Sequence, residues 1–186
     1  MTAAFAPCGI AAGSYCLLPL EDGDPGEFAA ALRESVDTVG RWIHGVHETY
    51  SAKEAQAWFD FCRHGREAGL WHQFGIHREG GSRLLGAVGL NHIDRQNAAC
   101  AMSYWVRQSA QGRGAASAAI VALARFGFTQ LGLGRIELVV GIGNEPSARA
   151  ARKAGAWHEG VARNRLRHGG RSLDADVFSL VPPLQA

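Results

Sequence analysis

A glycine-rich turn, Gln111–Ser117, joins a strand-like segment to a strongly helical one and constrains the fold more than any other feature of the sequence. The segment before it, Cys100–Val106, has the composition of a strand, and the segment after it, Ala115–Leu131, has that of a helix. Such a turn leaves several backbone N–H groups unpaired at the start of the helix, where the helix dipole adds partial positive charge. Gly112 and Gly114 lack a Cβ atom, so a ligand can approach the backbone closely. The turn therefore predicts a binding site for a phosphate or a pyrophosphate.

Two common phosphate-binding loops do not fit this turn. A P-loop requires Gly-Lys before Ser or Thr, whereas the two lysines of the chain, Lys53 and Lys153, follow alanine and arginine. A dinucleotide fingerprint requires a glycine three residues after Gly114, where the chain has Ser117. It also requires an acidic residue about 20 residues further on, and Glu137 at that distance lies inside the next predicted strand. An ordinary turn before a core helix and a pyrophosphate loop of another kind remain as alternatives.

Length and composition indicate one globular domain covering residues 1–186. No segment has the run of about 18 apolar residues that a membrane helix needs. Met1–Leu20 contains no Lys or Arg and is interrupted by proline and glycine, so a signal peptide is not expected. His44 and His47 have no cysteine partner for a zinc site, and no metal is predicted. The cysteines are too widely spread for a disulfide framework, which predicts a reducing cytoplasm; they are Cys8, Cys16, Cys62 and Cys100.

Charge is distributed unevenly along a chain whose net charge is +2. Residues 107–171 contain eleven basic and three acidic residues, and the remainder contains eight basic and fourteen acidic ones. The basic part suits an anionic ligand such as a nucleotide phosphate, and the acidic part would suit a cationic acceptor. Solvated surface charge without a target is the alternative interpretation. Nucleic-acid binding is disfavoured, because no aromatic residues are interleaved with the arginine cluster, which consists of Arg163, Arg165, Arg167 and Arg171.

Apolar periodicity and turn residues predict an α+β (α/β layered) fold with a mixed, mostly antiparallel sheet of about six to seven strands and about four helices. The capping-box pair Ser51 and Glu54 marks the start of one helix. Gly86 and Gly89 indicate a bulge or close packing in one strand. The predicted helices are Glu27–Val39, one capped by Ser51 that runs to Glu67, Ala115–Leu131, and one from Pro146 to Lys153. The predicted strands are Tyr15–Leu20, Trp71–His77, Leu84–Leu90, Ala99–Val106, Ile136–Val140, Trp157–Leu166 and Leu173–Leu180.

Several segments in one order carry a more specific signal than any single motif. They are Tyr104-Trp105-Val106, the glycine-rich turn, Gly132–Leu138, Asn144–Ser147 with Ala154–Ala156, His158–Gly160, and Gly170–Asp174. In this order they resemble the GCN5-related N-acetyltransferase (GNAT) superfamily, and its RimJ/RimL-like ribosomal-protein branch best. The resemblance covers about Gly86 to Val181 well and the first third loosely. Ala115 stands where the family often has an aromatic residue, and Ala156-Trp157 replaces its usual Gly-Phe.

The resemblance implies that the chain binds acetyl-CoA between two strands that splay apart, here Ala99–Val106 and Ile136–Val140. Backbone groups near Trp105 and Val106 would hold the pantetheine arm, and the glycine-rich turn would hold the pyrophosphate, with Arg113 as an added contact. The complete set of residues expected to bind the cofactor is Trp105, Val106, Gln111, Gly112, Arg113, Gly114, Ala115, Ala116, Ser117, Asn144 and Ser147.

The resemblance also implies roles in acetyl transfer to an amine. Ser147 matches the position that donates a hydrogen bond to the leaving sulfur, although a serine in the first turn of a helix can also serve only the backbone. Glu159, His92 and Glu48 are candidates for the base, and a surface role is open for each of them. Trp42 and Glu48 lie in the loop Trp42–Tyr50, which is expected to form a wall of the acceptor site.

The acceptor stays open at this point. An open groove at the Trp42–Tyr50 loop would favour a protein N-terminal α-amine, and an enclosed acidic cup would favour a small amine such as a polyamine or an antibiotic. A module that binds acyl-CoA without turnover is a further alternative, against which the intact turn and Ser147 argue. Homodimers are common in the family, but the sequence shows no interface.

Overall fold

A computed structural model describes residues 9–182, which form one mixed sheet covered by helices on both faces. Cys8 and the first eight of the 20 residues tested for a signal peptide lie outside the described residues. The strands are β1 Ile10–Ala12, β2 Tyr15–Pro19, β3 His72–Arg78, β4 Leu84–Asp94, β5 Ala99–Val106, β6 Arg135–Gly141, β7 Trp157–His168 and β8 Arg171–Leu180. The helices are α1 Pro25–Glu34, α2 Ala52–Glu67, α3 Ala115–Gln130 and α4 Glu145–Lys153. Among the described residues, none of these helices is long and apolar enough to cross a membrane.

The sheet has the strand order β1-β2-β3-β4-β5-β6-β8-β7, and its paired strands are antiparallel except for β5 and β6. Alternate residues of β4 enter two different cores: Val88 and Leu90 pack with α3 and α4, while Ala87 packs with α1 and α2. Because successive side chains of a strand point to opposite faces, the two helix pairs lie on opposite sides of the sheet. The predicted α+β layered fold is thereby confirmed, with eight strands in the described part of the chain instead of about six to seven.

Two local predictions at the N-terminal side differ from the structure. The extra strand Ile10–Ala12 is only three residues long, too short to show an alternating pattern. The helix predicted at Glu27–Val39 is Pro25–Glu34, because the Asp24 carboxylate caps it by accepting an N–H at 2.7 Å. It ends before Ser35, whose hydroxyl donates back to a carbonyl of the preceding turn at 2.7 Å, and hydrogen-bonded turns follow. Each remaining predicted helix and strand is present, with bounds shifted by a few residues.

The fork in the sheet is the feature that positions the site. β5 and β6 pair at only three positions, and the last of them joins Ala101 and Glu137. β5 remains paired with β4 up to Val106, so the two parallel strands diverge beyond Ala101. The splayed pair that the resemblance implied is therefore present, between the two strands expected to form it.

A buried arginine fixes the end of β5 and the turn that follows it. Arg107 is 6% exposed, and its guanidinium donates to Glu34 and Glu27 of α1, each at 2.6 Å. The same group donates to the Leu84 carbonyl at 3.1 Å, and the Ser109 N–H donates to Glu34 at 2.9 Å. Helix α1 on one face of the sheet is thus connected directly to the backbone that leads into the glycine-rich turn.

Replacing Arg107 with methionine is expected to lower the free energy of unfolding by about 3 kcal/mol, because two carboxylates lose a nearly buried partner. Urea denaturation measures this loss. Arg83→Met is the matched control, since Arg83 contacts the same Glu34 at 3.8 Å but is 60% exposed; its loss should stay below about 1 kcal/mol. Equal losses in the two variants would contradict this account of Arg107.

Candidate functional site

A cleft of about 630 Å³ occupies the opening of the fork. Its lining comes from both diverging strands, from the start of α4 and from the loop before α2. Residues from these elements that line the cleft include Ser103, Tyr104, Val139, Val140, Gly141, Asn144, Ser147 and Trp42. A long ligand can therefore enter between β5 and β6 with its sides in contact with protein on both strands.

The peptide groups of β5 that face the cleft follow from the strand register. Arg107 N–H donates to the Leu85 carbonyl at 2.8 Å across the antiparallel pair of β4 and β5. Because the hydrogen-bonding direction alternates along an antiparallel strand, the peptide groups of Tyr104 and Val106 point away from β4, toward the fork. Trp105 was expected to offer its backbone there, but its carbonyl is directed at β4, where a Cβ on Gly86 would lie 2.2 Å from it.

The glycine-rich turn carries a cluster of unpaired donors at the start of α3. Gly112 and Gly114 have φ angles of +75° and +85°, and Gly114 is the N-cap residue of the helix. The N–H groups of residues 112–117 donate no hydrogen bond within the described part of the chain. A Cβ on either glycine would meet no atom within 4 Å, so the backbone conformation and not crowding requires glycine there. Free N–H groups at the start of a helix form a candidate anion site, and the Arg113 side chain is exposed beside them.

The side chains of Tyr15 and Gln111 hold this turn in place. Tyr15 of β2 donates its hydroxyl to the Arg113 carbonyl at 2.6 Å. Gln111 donates its side-chain amide to the Val106 carbonyl at 2.9 Å and to the Thr38 hydroxyl at 3.3 Å. None of these contacts uses a backbone N–H group of residues 112–117. The conformation of the turn is therefore held by contacts that leave its backbone donors available.

Two hydroxyl groups meet where α4 approaches β5. Ser147 donates its hydroxyl to the Tyr104 oxygen at 2.8 Å, and Tyr104 donates to the Ser147 carbonyl at 2.9 Å. Burial raises the pKa of Tyr104, so the phenol keeps its proton. Asn144 caps α4 by accepting the Ser147 N–H at 3.3 Å. The cleft therefore has two protonated hydroxyl groups at the start of α4, of which the sequence analysis identified only the serine.

The three candidate bases occupy different surroundings. His92 lines the cleft from a bulge in β4, with a φ angle of +51°. Glu159 is held by Arg135 through two hydrogen bonds of 2.6 Å, and this partner lowers the pKa of Glu159 to about 2. Glu159 does not line the cleft. Glu48 is exposed and lines neither this cleft nor its neighbour. The structure thus brings His92 to the cleft and leaves the two carboxylates outside it.

A second cavity of about 480 Å³ continues from the cleft on the α1 and α2 side of the sheet. Trp42, one of the two residues expected in the acceptor wall, lines both cavities and contacts β6, where a Cβ on Gly141 would lie 3.0 Å from its ring. Trp105 packs its ring edge-to-face on Phe28, with centroids 5.8 Å apart. Among the described residues, no Asp or Glu lines either cavity. Most of the lining is aromatic, aliphatic or neutral polar, and its one arginine, Arg165, donates to Glu137 at 3.1 Å.

Comparison with known proteins gives matches over most of the chain. Residues 15–156 match the family model described as acetyltransferase (GNAT) domain. The putative ribosomal N-acetyltransferase YdaF of Bacillus subtilis (strain 168) is 28% identical over 169 residues, which cover 87% of this chain and 88% of the relative. A solved structure of a putative ribosomal-protein-serine acetyltransferase from Vibrio cholerae is 27% identical, covers 93% of this chain and 97% of that one, and has a TM-score of 0.79. The structure of the ribosomal L7/L12 α-N-protein acetyltransferase RimL with coenzyme A is 17% identical, covers 92% and 97%, and shares the fold with a TM-score of 0.84.

Proposed function

The chain belongs to the acetyltransferase (GNAT) family and is an N-acetyltransferase that uses acetyl-CoA; we propose that its acceptor is the α-amine of a protein N-terminus, with a ribosomal protein as the acceptor class. The names of two relatives support this acceptor, since both refer to ribosomal N-acetyltransferases or ribosomal-protein acetyltransferases. The observation that carries the proposal is the absence of carboxylates from the described lining of both cavities.

The chemistry of the lining separates α-amines from more basic amines. An α-amine has a pKa of about 8, whereas a lysine or polyamine-type amine has one above about 10. A cationic amine would need carboxylates to compensate its desolvation, and the described lining offers none. An α-amine is partly neutral near pH 7 and can enter a cleft that lacks carboxylates at lower cost, and Arg165 in the lining further disfavours a cationic amine. His92 would take up the proton that the α-amine must lose, directly or through a water molecule.

For the donor, we assign the pyrophosphate of acetyl-CoA to the free N–H groups of residues 112–117 and the pantetheine arm to the fork. The N–H and C=O of Tyr104 and the N–H of Val106 point into the opening where that arm would pair with β5. Asn144, the cap of α4, lies at the far side of the same opening. Arg113 adds positive charge beside the anion site. A metal has no role in this scheme.

The transfer itself needs one base and one hydrogen-bond donor. The neutral amine attacks the thioester carbonyl, a C–N bond forms, and the amine proton passes to His92 or to solvent. The C–S bond then breaks, and the departing sulfur takes a proton from the hydroxyl pair of Ser147 and Tyr104 at the start of α4, which regains a proton from solvent. Backbone N–H groups of β5 that face the fork would stabilise the negative charge on the carbonyl oxygen in between.

We expect the enzyme to acetylate a short peptide at its α-amine with a kcat/KM at least tenfold higher at pH 7 than it shows for spermidine, because the described cleft lining carries no counter-charge for a polyamine. Thiol release from acetyl-CoA gives the rates, and mass spectrometry of the peptide locates the acetyl group. A peptide whose α-amine is blocked, with a lysine left free, is the control. A preference for spermidine would contradict the proposed acceptor, and binding of acetyl-CoA without thiol release would contradict catalysis.

The homodimer and the cytoplasmic location stay predictions.

A further inference from the structure

A row of polar side chains crosses three strands on the floor of the second cavity, and none of them has a role in the reaction described above. Gln73 of β3, Gly89 of β4 and Ser103 of β5 are direct cross-strand partners. A Cβ on Gly89 would lie 2.0 Å from the side-chain oxygen of Gln73, so the glycine leaves the space that this amide fills. Asn91, two residues further along β4, joins Gln73 to Ser103 over the gap. The row is therefore built into the sheet.

The direction of the hydrogen bonds in this row is fixed by Asn91. Its Nδ2 donates to the Ser103 Oγ at 2.9 Å and to the Gly89 carbonyl at 3.3 Å. Its Oδ1 accepts from the Nε2 of Gln73, which is 6% exposed. The Gly89 carbonyl can only accept, so it requires this orientation of the Asn91 amide, and the Gln73 amide is oriented to match. Ser103 consequently accepts a hydrogen bond within the row and keeps its own hydroxyl proton to donate elsewhere.

Ser103 stands where the donor and acceptor halves of the site meet. It lies two residues beyond Ala101, the last residue of β5 that pairs with β6. It is exposed, and it lines both the cleft in the fork and the second cavity. The row therefore presents a single oriented O–H donor beside the place where an acceptor amine must reach the thioester.

We propose that Ser103 donates this proton to the carbonyl oxygen of the acceptor's first residue, and that Asn91 and Gln73 are positioning residues that hold the serine as a donor. The proposal rests on the proposed function and deepens it. A peptide N-terminus has a carbonyl one carbon from its amine, whereas a polyamine has no hydrogen-bond acceptor there once its nitrogens are protonated. The row thus selects an α-aminoacyl group and orients its amine toward the fork.

Ser103→Ala is expected to lower kcat/KM for a peptide acceptor about tenfold, mainly through KM, because one hydrogen bond to the substrate is lost. The affinity of this variant for acetyl-CoA, measured by calorimetry, should stay within about twofold of that of the unsubstituted enzyme. Ser103→Thr should keep kcat/KM within about threefold of the unsubstituted enzyme, because threonine retains the hydroxyl.

Asn91→Asp tests the direction of the hydrogen bonds in the row and leaves Ser103 in place. A carboxylate at this position accepts the serine proton, so the outward donor disappears although the hydroxyl remains. The same loss of about tenfold in kcat/KM is expected, again without a change in acetyl-CoA affinity. Unchanged peptide kinetics in Ser103→Ala or in Asn91→Asp would overturn the proposal, as would an equal loss in acetyl-CoA affinity. If the unsubstituted enzyme fails to acetylate any peptide, the proposed function fails, and that result is distinct from failure of the row.

Discussion

Replacing Gly114 with valine is expected to weaken coenzyme A binding at least a hundredfold. Gly114 has a φ angle of +85° at the N-cap of α3. This left-handed backbone conformation is strongly unfavourable for a β-branched residue. Relaxation of the backbone would turn the free N–H groups away from a common point, and each charge-assisted hydrogen bond lost costs about 1.5–3 kcal/mol. The valine side chain would also occupy the open space in front of the turn, where a Cβ meets no protein atom. Calorimetric titration with coenzyme A measures the loss.

Gly132→Val is the matched control for this prediction. Gly132 follows the other end of α3, with a φ angle of +68° and no atom within 4 Å of an added Cβ. Valine there imposes a similar backbone strain on the same helix, far from the anion site. The control should lose stability and keep coenzyme A affinity within about threefold, since strain at such a position costs about 1–3 kcal/mol of folding energy. Similar affinities in the two variants would contradict the role of the turn.

The variant that combines Tyr104→Phe with Ser147→Ala should lose about a hundredfold in kcat, because no hydroxyl group at the start of α4 can protonate the departing sulfur. Its affinity for acetyl-CoA should change little. Because Ser147 donates to Tyr104 at 2.8 Å, either single substitution disrupts the same pair. We therefore expect each single variant to approach the loss of the double variant instead of contributing an independent factor.

Steady-state thiol release at saturating acetyl-CoA measures this effect. Single variants whose losses multiply to that of the double variant would show that the two hydroxyl groups act independently. An unchanged kcat in the double variant would remove both groups from the mechanism. The leaving thiol has a pKa of about 8.5 by analogy with cysteine. A variant that keeps its rate only at high pH would also agree with the loss of an acid.

Local signals allowed the elements around the site to be predicted from the sequence. The strand Ala99–Val106 has the predicted bounds, and the capping box of Ser51 and Glu54 is present with both hydrogen bonds. The glycine-rich turn has the positive φ angles that its two glycines allow. Each of these features depends on residues close together in the chain, and a sequence pattern can express them.

Contacts between distant segments could not be predicted in the same way. The sequence offers Glu159 as a base, but its neutralisation by Arg135 depends on the packing of β6 beside the β7–β8 hairpin. The Tyr104 hydroxyl reaches Ser147 across 43 positions of the chain. The row from Gln73 to Ser103 depends on the register of three strands. Gly89, which indicated a bulge or close packing, was its only residue that stood out in the sequence. The register of the strands therefore brings the site residues together, and that register could not be predicted from the sequence.

The central claim is that the free N–H groups of residues 112–117 and the fork between β5 and β6 bind one molecule of acetyl-CoA. Titration of the isotope-labelled protein with acetyl-CoA, followed by its amide ¹H–¹⁵N spectrum, tests this most directly. The account predicts large downfield shifts for the amides of Gly112–Ser117 and smaller shifts for Tyr104 and Val106, saturating at one equivalent. Saturable shifts confined to other parts of the chain, or no change on addition of acetyl-CoA, would contradict it.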